Sequence, residues 1–434
     1  MSASKSTKKL ESKLKALQCH FTWGLDPGRP KLLRLTDKLE DIGTEEGNPW
    51  LSHIYNLQGF IQFKLESNED AKSFFNKAAD VLRHADEGPG SMVNYGNLAW
   101  LHHHLGDEAE SQAYLSKVDA LKKKHPPPSQ SELHPEIYAE KAWTLMKFNA
   151  PKKEQAAEYF EKAIRMQPDM VEWNTSYVLG LASSQKHSTA GGEADLLRKM
   201  RAAKEQDPEN LYLAAVYLMQ LAKRGEKIES EARELGDQIL RNPVSSYSGL
   251  KPLIRVLSNY VSVDEAIDLA EKALRAHPEE RYLKRCAALC YKWKILFNRK
   301  TRPRPGMTER AISLHREVVS LYPNSSFLKK IDLANMYANS GAGMDKAEQI
   351  FQKLLRRDLE PAEKQVLYNQ FAKYLFHTKK DRQGSIQFHK RGAEIPEKSF
   401  FRNDSIRALE RVKDTTTWNR RSKEIEEFLE KLQK

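Results

Sequence analysis

Gln155-Ala156-Ala157-Glu158-Tyr159-Phe160-Glu161-Lys162-Ala163-Ile164-Arg165-Met166-Gln167-Pro168 is the stretch that decides the fold. Ala156, Phe160 and Ala163 recur at the three-to-four spacing of an α-helix, with charged residues between them. The alanines let a second helix approach closely, and Phe160 fills the groove between the two. Pro168 ends the helix, since its ring and missing N–H do not continue the ladder. The same arrangement recurs downstream as Ala266, Ala270, Ala273 and Pro278, and more loosely as Ala311, His315, Val318 and Pro323.

A small-x3-aromatic-x2-small-x4-Pro helix resembles the second helix of a tetratricopeptide unit, which is two antiparallel helices. Partial copies are Gly59-Phe60 with Ala71, Phe75 and Ala78; Leu98-Ala99 with Gly106, Tyr114 and Val118; and Ala203 with Pro208. Later ones are Leu333, Ala334 and Tyr337 with Ala347, Phe351 and Leu354, and a worn copy at Ala372, Gly392 and Pro396. The count is about eight or nine units, with degenerate first and last copies. No stretch alternates as a strand does, so the expected fold is all-α. Breakers fall at Pro126-Pro127-Pro128, Gly191-Gly192, Asn242-Pro243, Arg302 to Gly306 and Gly341-Ala342-Gly343. Ser245 to Leu250 departs from the repeat and reads as a pivot.

The bulk properties agree. At 434 residues the chain exceeds what one core covers, roughly 250–300 residues, whereas a repeat array grows in one direction. Apolar residues make up 40% and charged residues 30%, with a mean hydropathy of −0.70, as expected when every layer stays near water. No stretch reaches the roughly 18 apolar residues of a membrane span. The Lys-rich start, Met1 to Lys13, has no apolar segment of the secretory kind. Cys19, Cys286 and Cys290 are too few for a disulfide framework and read as buried thiols, so a cytoplasmic protein is expected. The net charge of +12 suggests an anionic partner: nucleic acid, lipid headgroup or acidic protein.

Nothing points to catalysis or to a cofactor. Walker, dinucleotide-binding, zinc-protease and nucleophile-elbow motifs are absent. His102-His103-His104 are adjacent on a helix, so their rings point in different directions and do not share an ion readily. Basic and aromatic residues do share helix faces. Arg34, Lys38 and Ile42 are spaced i, i+4, i+8; Trp143 and Lys147, Lys251 and Arg255, and Arg281 and Arg285 are i,i+4 pairs. Lined along a groove, such residues hold single-stranded nucleic acid through phosphates and stacked bases. Read blandly, they are packing tryptophans and solvated charges. On spacing alone, a peptide groove and an RNA groove both remain open.

Four segments carry a resemblance to a known family. Cys19-His20-Phe21-Thr22-Trp23, Asn97-Leu98-Ala99-Trp100, His134-Pro135-Glu136-Ile137 with Glu140 and Trp143, and Leu289-Cys290-Tyr291-Lys292 occur in order and at compatible spacing. They resemble the interferon-induced proteins with tetratricopeptide repeats (IFIT), over essentially the whole chain. The resemblance implies a non-enzymatic antiviral effector in the cytoplasm, one that grips single-stranded RNA by a 5′-triphosphate or a cap lacking 2′-O-methylation. The grip is a positively charged central tunnel through the repeat superhelix. It implies residues 1–244 as the pocket-bearing repeats, 245–330 as central repeats completing the tunnel, and 331–434 as repeats for partners, including homo- or hetero-oligomers. Trp143 stands where the cap-stacking residue is expected; Ile42, Thr44 and Leu179 resemble the enclosing loop and wall. Glu172 and Asn210 stand at guanine-edge positions, and Tyr212 at a base contact. Arg34, Lys38, Lys147, Lys153, Lys251, Arg255 and Arg285 resemble phosphate and backbone contacts. The chain departs at Ser183, where the family usually has a phosphate-gripping Arg. Lys153 replaces a Tyr, Lys38 a Gln, Arg285 a His and Cys286 a Gln. The alternative is a scaffold that binds protein partners or peptides without recognising RNA.

Overall fold

The computed structural model of the chain describes residues 2–43, 48–84, 88–127, 129, 132–184, 190–298, 303–415 and 420–433. Among the described residues there are helices and turns and no strand. They form two compact units, Met1–Ser262 and Val263–Lys434.

The first unit holds α1 (Ser2–Lys15), α2 (Arg29–Ile42), α3 (Leu51–Lys64), α4 (Asn68–His84), α5 (Ser91–His104), α6 (Glu108–Lys124) and α7 (Pro135–Leu145). It continues with α8 (Ala150–Met166), α9 (Val171–Ser184), α10 (Ala190–Gln206), α11 (Leu211–Lys223), α12 (Glu229–Ile239) and α13 (Leu250–Val256), which runs into a π-helical turn, Leu257–Val261. From α3 to α12 consecutive helices pack as pairs. The starts are capped from the sequence. Asp107 accepts from the Glu110 N–H at 3.1 Å, and Asn149 from the Lys152 N–H at 3.2 Å, each satisfying an otherwise orphaned donor.

The repeat residues do what their sizes suggested. Ala156, Phe160 and Ala163 are 0% exposed, as are Ala71, Phe75 and Ala78. Burying a phenylalanine side chain contributes about 1.5–3 kcal/mol. Gly59 is what lets Phe75 lie on α3, because a Cβ there would be 2.6 Å from two Phe75 ring carbons.

Two polar networks lock the pairs together. Asn94 donates to Asn56 Oδ1 at 2.8 Å and to the Phe75 carbonyl at 2.9 Å, and Asn56 donates to Glu140 Oε1 at 2.9 Å. The His20 N–H donates to Asn97 Oδ1 at 3.0 Å, Asn97 Nδ2 meets His20 Nδ1 at 3.1 Å, and Thr144 Oγ1 meets His20 Nε2 at 3.2 Å. Burial pushes the His20 imidazole down to about 3, so it is neutral. The Asn97 amide then donates to Nδ1, and Nε2–H donates to Thr144. Three segments singled out in the sequence are thus one structural unit that fixes α7.

The second unit holds α14 (Val263–Ala276), α15 (Arg281–Leu296), α16 (Met307–Leu321), α17 (Ser326–Ala338) and α18 (Met344–Leu355). Then come α19 (Pro361–Tyr374), a π-helical turn Leu375–Lys379, α20 (Arg382–Glu394), α21 (Phe400–Thr415) and α22 (Arg420–Gln433). α15/α16, α17/α18 and α19/α20 pack as pairs. With the first unit's five pairs this makes eight among the described residues, in line with the repeat count read from the sequence. Ala347 and Phe351 of α18 are fully buried against α17 and α19. Neither π-helical turn was visible in the sequence. Cys19, Cys286 and Cys290 are buried thiols, none of them in a disulfide. Among the described residues no helix is long and apolar enough to cross a membrane.

Candidate functional site

In the first unit, side chains from four separate segments meet around one ring. His134 caps α7 and Pro135 starts it, with its fixed φ already helical. Trp143 lies on the last turn. The helix ends at Leu145, so Lys147 lies in the following turn, its N–H bonded to the Thr144 carbonyl at 3.0 Å. Trp143 and Lys147 nonetheless meet: the ammonium sits 4.0 Å over the indole centre. Trp50 stacks on the same indole at 6.0 Å and 19°, and His53 meets it edge-on at 5.8 Å. Trp143 is 1% exposed.

The fourth segment is the turn expected as a pivot. Lys147 Nζ donates to the Tyr247 hydroxyl at 3.2 Å. Tyr212 packs perpendicular to Tyr247 at 5.9 Å. Two bonds tie the turn to the end of α2: Ser246 N–H to the Asp41 carbonyl at 2.7 Å and Ser245 Oγ to the Ile42 carbonyl at 2.6 Å. Gly249 has φ +86°, and a Cβ there would be 2.6 Å from the Leu211 carbonyl oxygen, so only glycine lets the turn close on α11. Trp143 and Lys147, expected as a pair, thus meet Tyr212 through Tyr247, and Ile42 is tied to the same turn through Ser245. Tyr247, Trp50 and His53 were missed; the one available signal was a tyrosine inside the anomalous Ser245–Leu250 stretch.

Burial sets the electrostatics here. It pushes Lys147 down to about 7 and the Tyr247 hydroxyl up to about 12. His53 is pushed down to about 3, first by burial and then by the charge of Lys147. Among the described residues Lys147 has no carboxylate partner; two rings and a neutral hydroxyl hold it.

A second basic cluster joins α2 and the first turn of α8. The Lys31 ammonium is held below its ordinary range, mainly by burial and then by the charges of Arg34 and Lys153. Lys153 lies in a first helical turn that contains no acid, where the helix dipole disfavours a cation and favours an anion. Lys31 went unnoticed in the sequence. Lys38 is exposed on α2. On α13, Lys251 is partly buried and Arg255 exposed.

The remaining residues are placed as follows. Leu179 on α9 is partly buried against the core. Glu172 is in the first turn of the same helix and partly exposed. Asn210 caps α11, accepting from Leu213 N–H at 2.9 Å and donating to Asp207 Oδ2 at 2.9 Å. Ser183 adds no charge, its hydroxyl donating to the Gly180 carbonyl at 2.9 Å. Thr44 lies outside the described residues. Arg285 is in the second unit, where Arg281, Arg285 and Lys329 lie 4.4, 5.5 and 4.5 Å from the ring centre of buried Tyr322.

The three consecutive histidines separate as their helix positions require. His102 is buried and bonds Asp107 at 3.3 Å, while His104 stacks on Trp100 at 5.5 Å. Among the described residues no three His, Cys, Asp or Glu side chains gather as metal ligands would.

Helix-pair repeats of this kind, here gathering aromatic rings around one lysine, define a tetratricopeptide-repeat protein. The tetratricopeptide repeat family model matches residues 94–125 and 135–170. The chain is 29% identical over 436 residues to the antiviral innate immune response effector IFIT1 of Macaca fascicularis, covering 95% of this chain and 89% of the relative. It is 28% identical over 425 residues to human interferon-induced protein with tetratricopeptide repeats 2, covering 93% and 86%. A solved human IFIT1 dimer with m7Gppp-AAAA matches with a TM-score of 0.71 at 26% identity, over 98% of this chain and 96% of that one. The human IFIT1 dimer with PPP-AAAA matches at 0.69 and 27%, over 98% and 95%. Over nearly its whole length the chain is similar to the interferon-induced proteins with tetratricopeptide repeats.

Proposed function

We propose that the chain holds single-stranded RNA by its 5′ end, a triphosphate or a cap lacking 2′-O-methylation, and so withholds that RNA from translation. The observation that carries this reading is the near full-length match to human IFIT1 with m7Gppp-AAAA and with PPP-AAAA. The recess of the first unit supports it. Trp143 offers a stacking surface for the cap ring, with Ile42 and Leu179 as its wall and Glu172 and Asn210 for the guanine edge. Lys147, Arg34, Lys38, Lys153, Lys251 and Arg255 meet phosphates, and Tyr212 meets a base. In the second unit Arg285 is a phosphate contact of that unit's own surface, and residues 331–434 meet protein partners, including further copies of family members. The protein acts in the cytoplasm by sequestration, without turnover.

A peptide-binding scaffold is the weaker reading. The Trp143 cluster gathers aromatic rings around one lysine, a chemistry suited to phosphate and base more than to a peptide carboxylate clamp. Cell-free translation tests the proposal. Added protein is expected to suppress a reporter RNA bearing a triphosphate or an unmethylated cap and to spare one initiated internally. Equal suppression of both, or of neither, would overturn it.

A further inference from the structure

The Trp143 indole is already covered, with the Lys147 ammonium 4.0 Å over its centre and Trp50 stacked at 6.0 Å. Stacked rings lie with their centres roughly 4.5–7 Å apart, so an incoming ring needs the space that Lys147 holds. Lys147 rests on neutral groups only: the rings of Trp143 and Tyr247, at 4.0 and 5.8 Å, and the Tyr247 hydroxyl at 3.2 Å. A half-buried ammonium without a counter-charge among the described residues gains more from a phosphate than from a second hydroxyl.

We propose that Lys147 makes ring recognition conditional on phosphate, covering Trp143 until one ligand brings both an anion to draw the ammonium away and a ring to take its place. The inference rests on the proposed 5′-end reading and adds a specificity rule to the same recess. A nucleoside must displace the lysine and give it nothing in return. An inorganic phosphate chain draws the lysine away but leaves the indole bare. A nucleoside triphosphate does both, so ring and phosphate bind cooperatively.

The groups facing Lys147 do not compete for its role. His53, from α3, and Tyr247, from the Ser245–Leu250 turn, are both neutral near pH 7. Lys147 itself ionises near 7 in the free chain, so anion binding draws a proton onto it.

Calorimetric titration of the full chain and of Lys147→Ala with 7-methylguanosine, 7-methylguanosine 5′-triphosphate and inorganic tripolyphosphate tests the rule. The variant is expected to bind the nucleoside about tenfold tighter, because one cation–π contact no longer competes, and the triphosphate about tenfold weaker. Opposite signs for the two ligands are the signature. If both weaken, or the nucleoside is unchanged, Lys147 is an ordinary phosphate contact and the proposal fails, while the 5′-end reading stands. If the unaltered chain binds neither the cap triphosphate nor triphosphate RNA, the 5′-end reading fails and takes the inference with it. Lys147→Gln, which keeps a donor for Tyr247, is expected to give the same signs and carries the test if the alanine variant melts early.

Discussion

Glu140→Gln is expected to stabilise the protein, and by an amount that grows with pH. Glu140 is 2% exposed and accepts from Asn56 Nδ2 at 2.9 Å. Burial pushes its carboxyl from an ordinary 4.5 up to about 8; the Asn56 bond opposes this weakly and the charge of Glu136 adds to it. Between those two pH values the unfolded chain has released a proton that the folded protein keeps. Folding therefore loses about 1.4 kcal/mol for each pH unit through the window. Below pH 4.5 both states are protonated and nothing is lost. Above about 8 both are ionised, and the loss is complete at on the order of 5 kcal/mol. The Gln variant offers Asn56 the same carbonyl and does not titrate. Urea unfolding is expected to show near-equal stability at pH 4.5 and an advantage for the variant of roughly 2–4 kcal/mol at pH 7.5. A variant less stable at pH 7.5, or a difference that does not change with pH, would refute the assignment of a neutral buried carboxyl.

Gly59→Ala places a methyl 2.6 Å from the Phe75 ring, which is fully buried and has nowhere to go. A loss of about 1–3 kcal/mol is expected, read as a lower melting temperature. Gly249→Ala forces a side chain onto φ +86° and into the Leu211 carbonyl, displacing the turn that carries Tyr247. Capped-RNA affinity should drop at least about tenfold while α7 keeps its amide-exchange protection. Because Lys147 ionises near 7 when free and binds an anion when charged, affinity for 5′-triphosphate RNA should fall as pH rises from 7 to 8.5, and the Lys147→Ala variant should lose most of that slope.

Much of the fold was legible because the repeat is local. Ala156, Phe160, Ala163 and Pro168 lie within one helix and its stop, and their 3–4 spacing states both the period and the buried face. Phe75 and Phe351 were found by the same reasoning. The recess was only half legible. Trp143 and Lys147 are close in sequence, but Trp50, His53 and Tyr247 reach them from positions about a hundred residues away in either direction, which no local period encodes. The depressed ionisation of Lys147 and the neutral state of Glu140 follow from burial created by that distant packing. Asn210 shows the converse. Its position suggested a base edge, while its asparagine chemistry also suits the helix cap it forms with Leu213 and Asp207.

The central claim is that the 5′ end of RNA is what this chain recognises. The most direct measurement is the affinity of the full chain for one short RNA carrying a 5′-hydroxyl, a 5′-triphosphate or a cap lacking 2′-O-methylation, at two salt concentrations. The triphosphate and capped forms are expected to bind at least about tenfold tighter than the hydroxyl form, with affinity falling as salt rises. Equal affinity for all three ends, with no dependence on salt, would contradict the account.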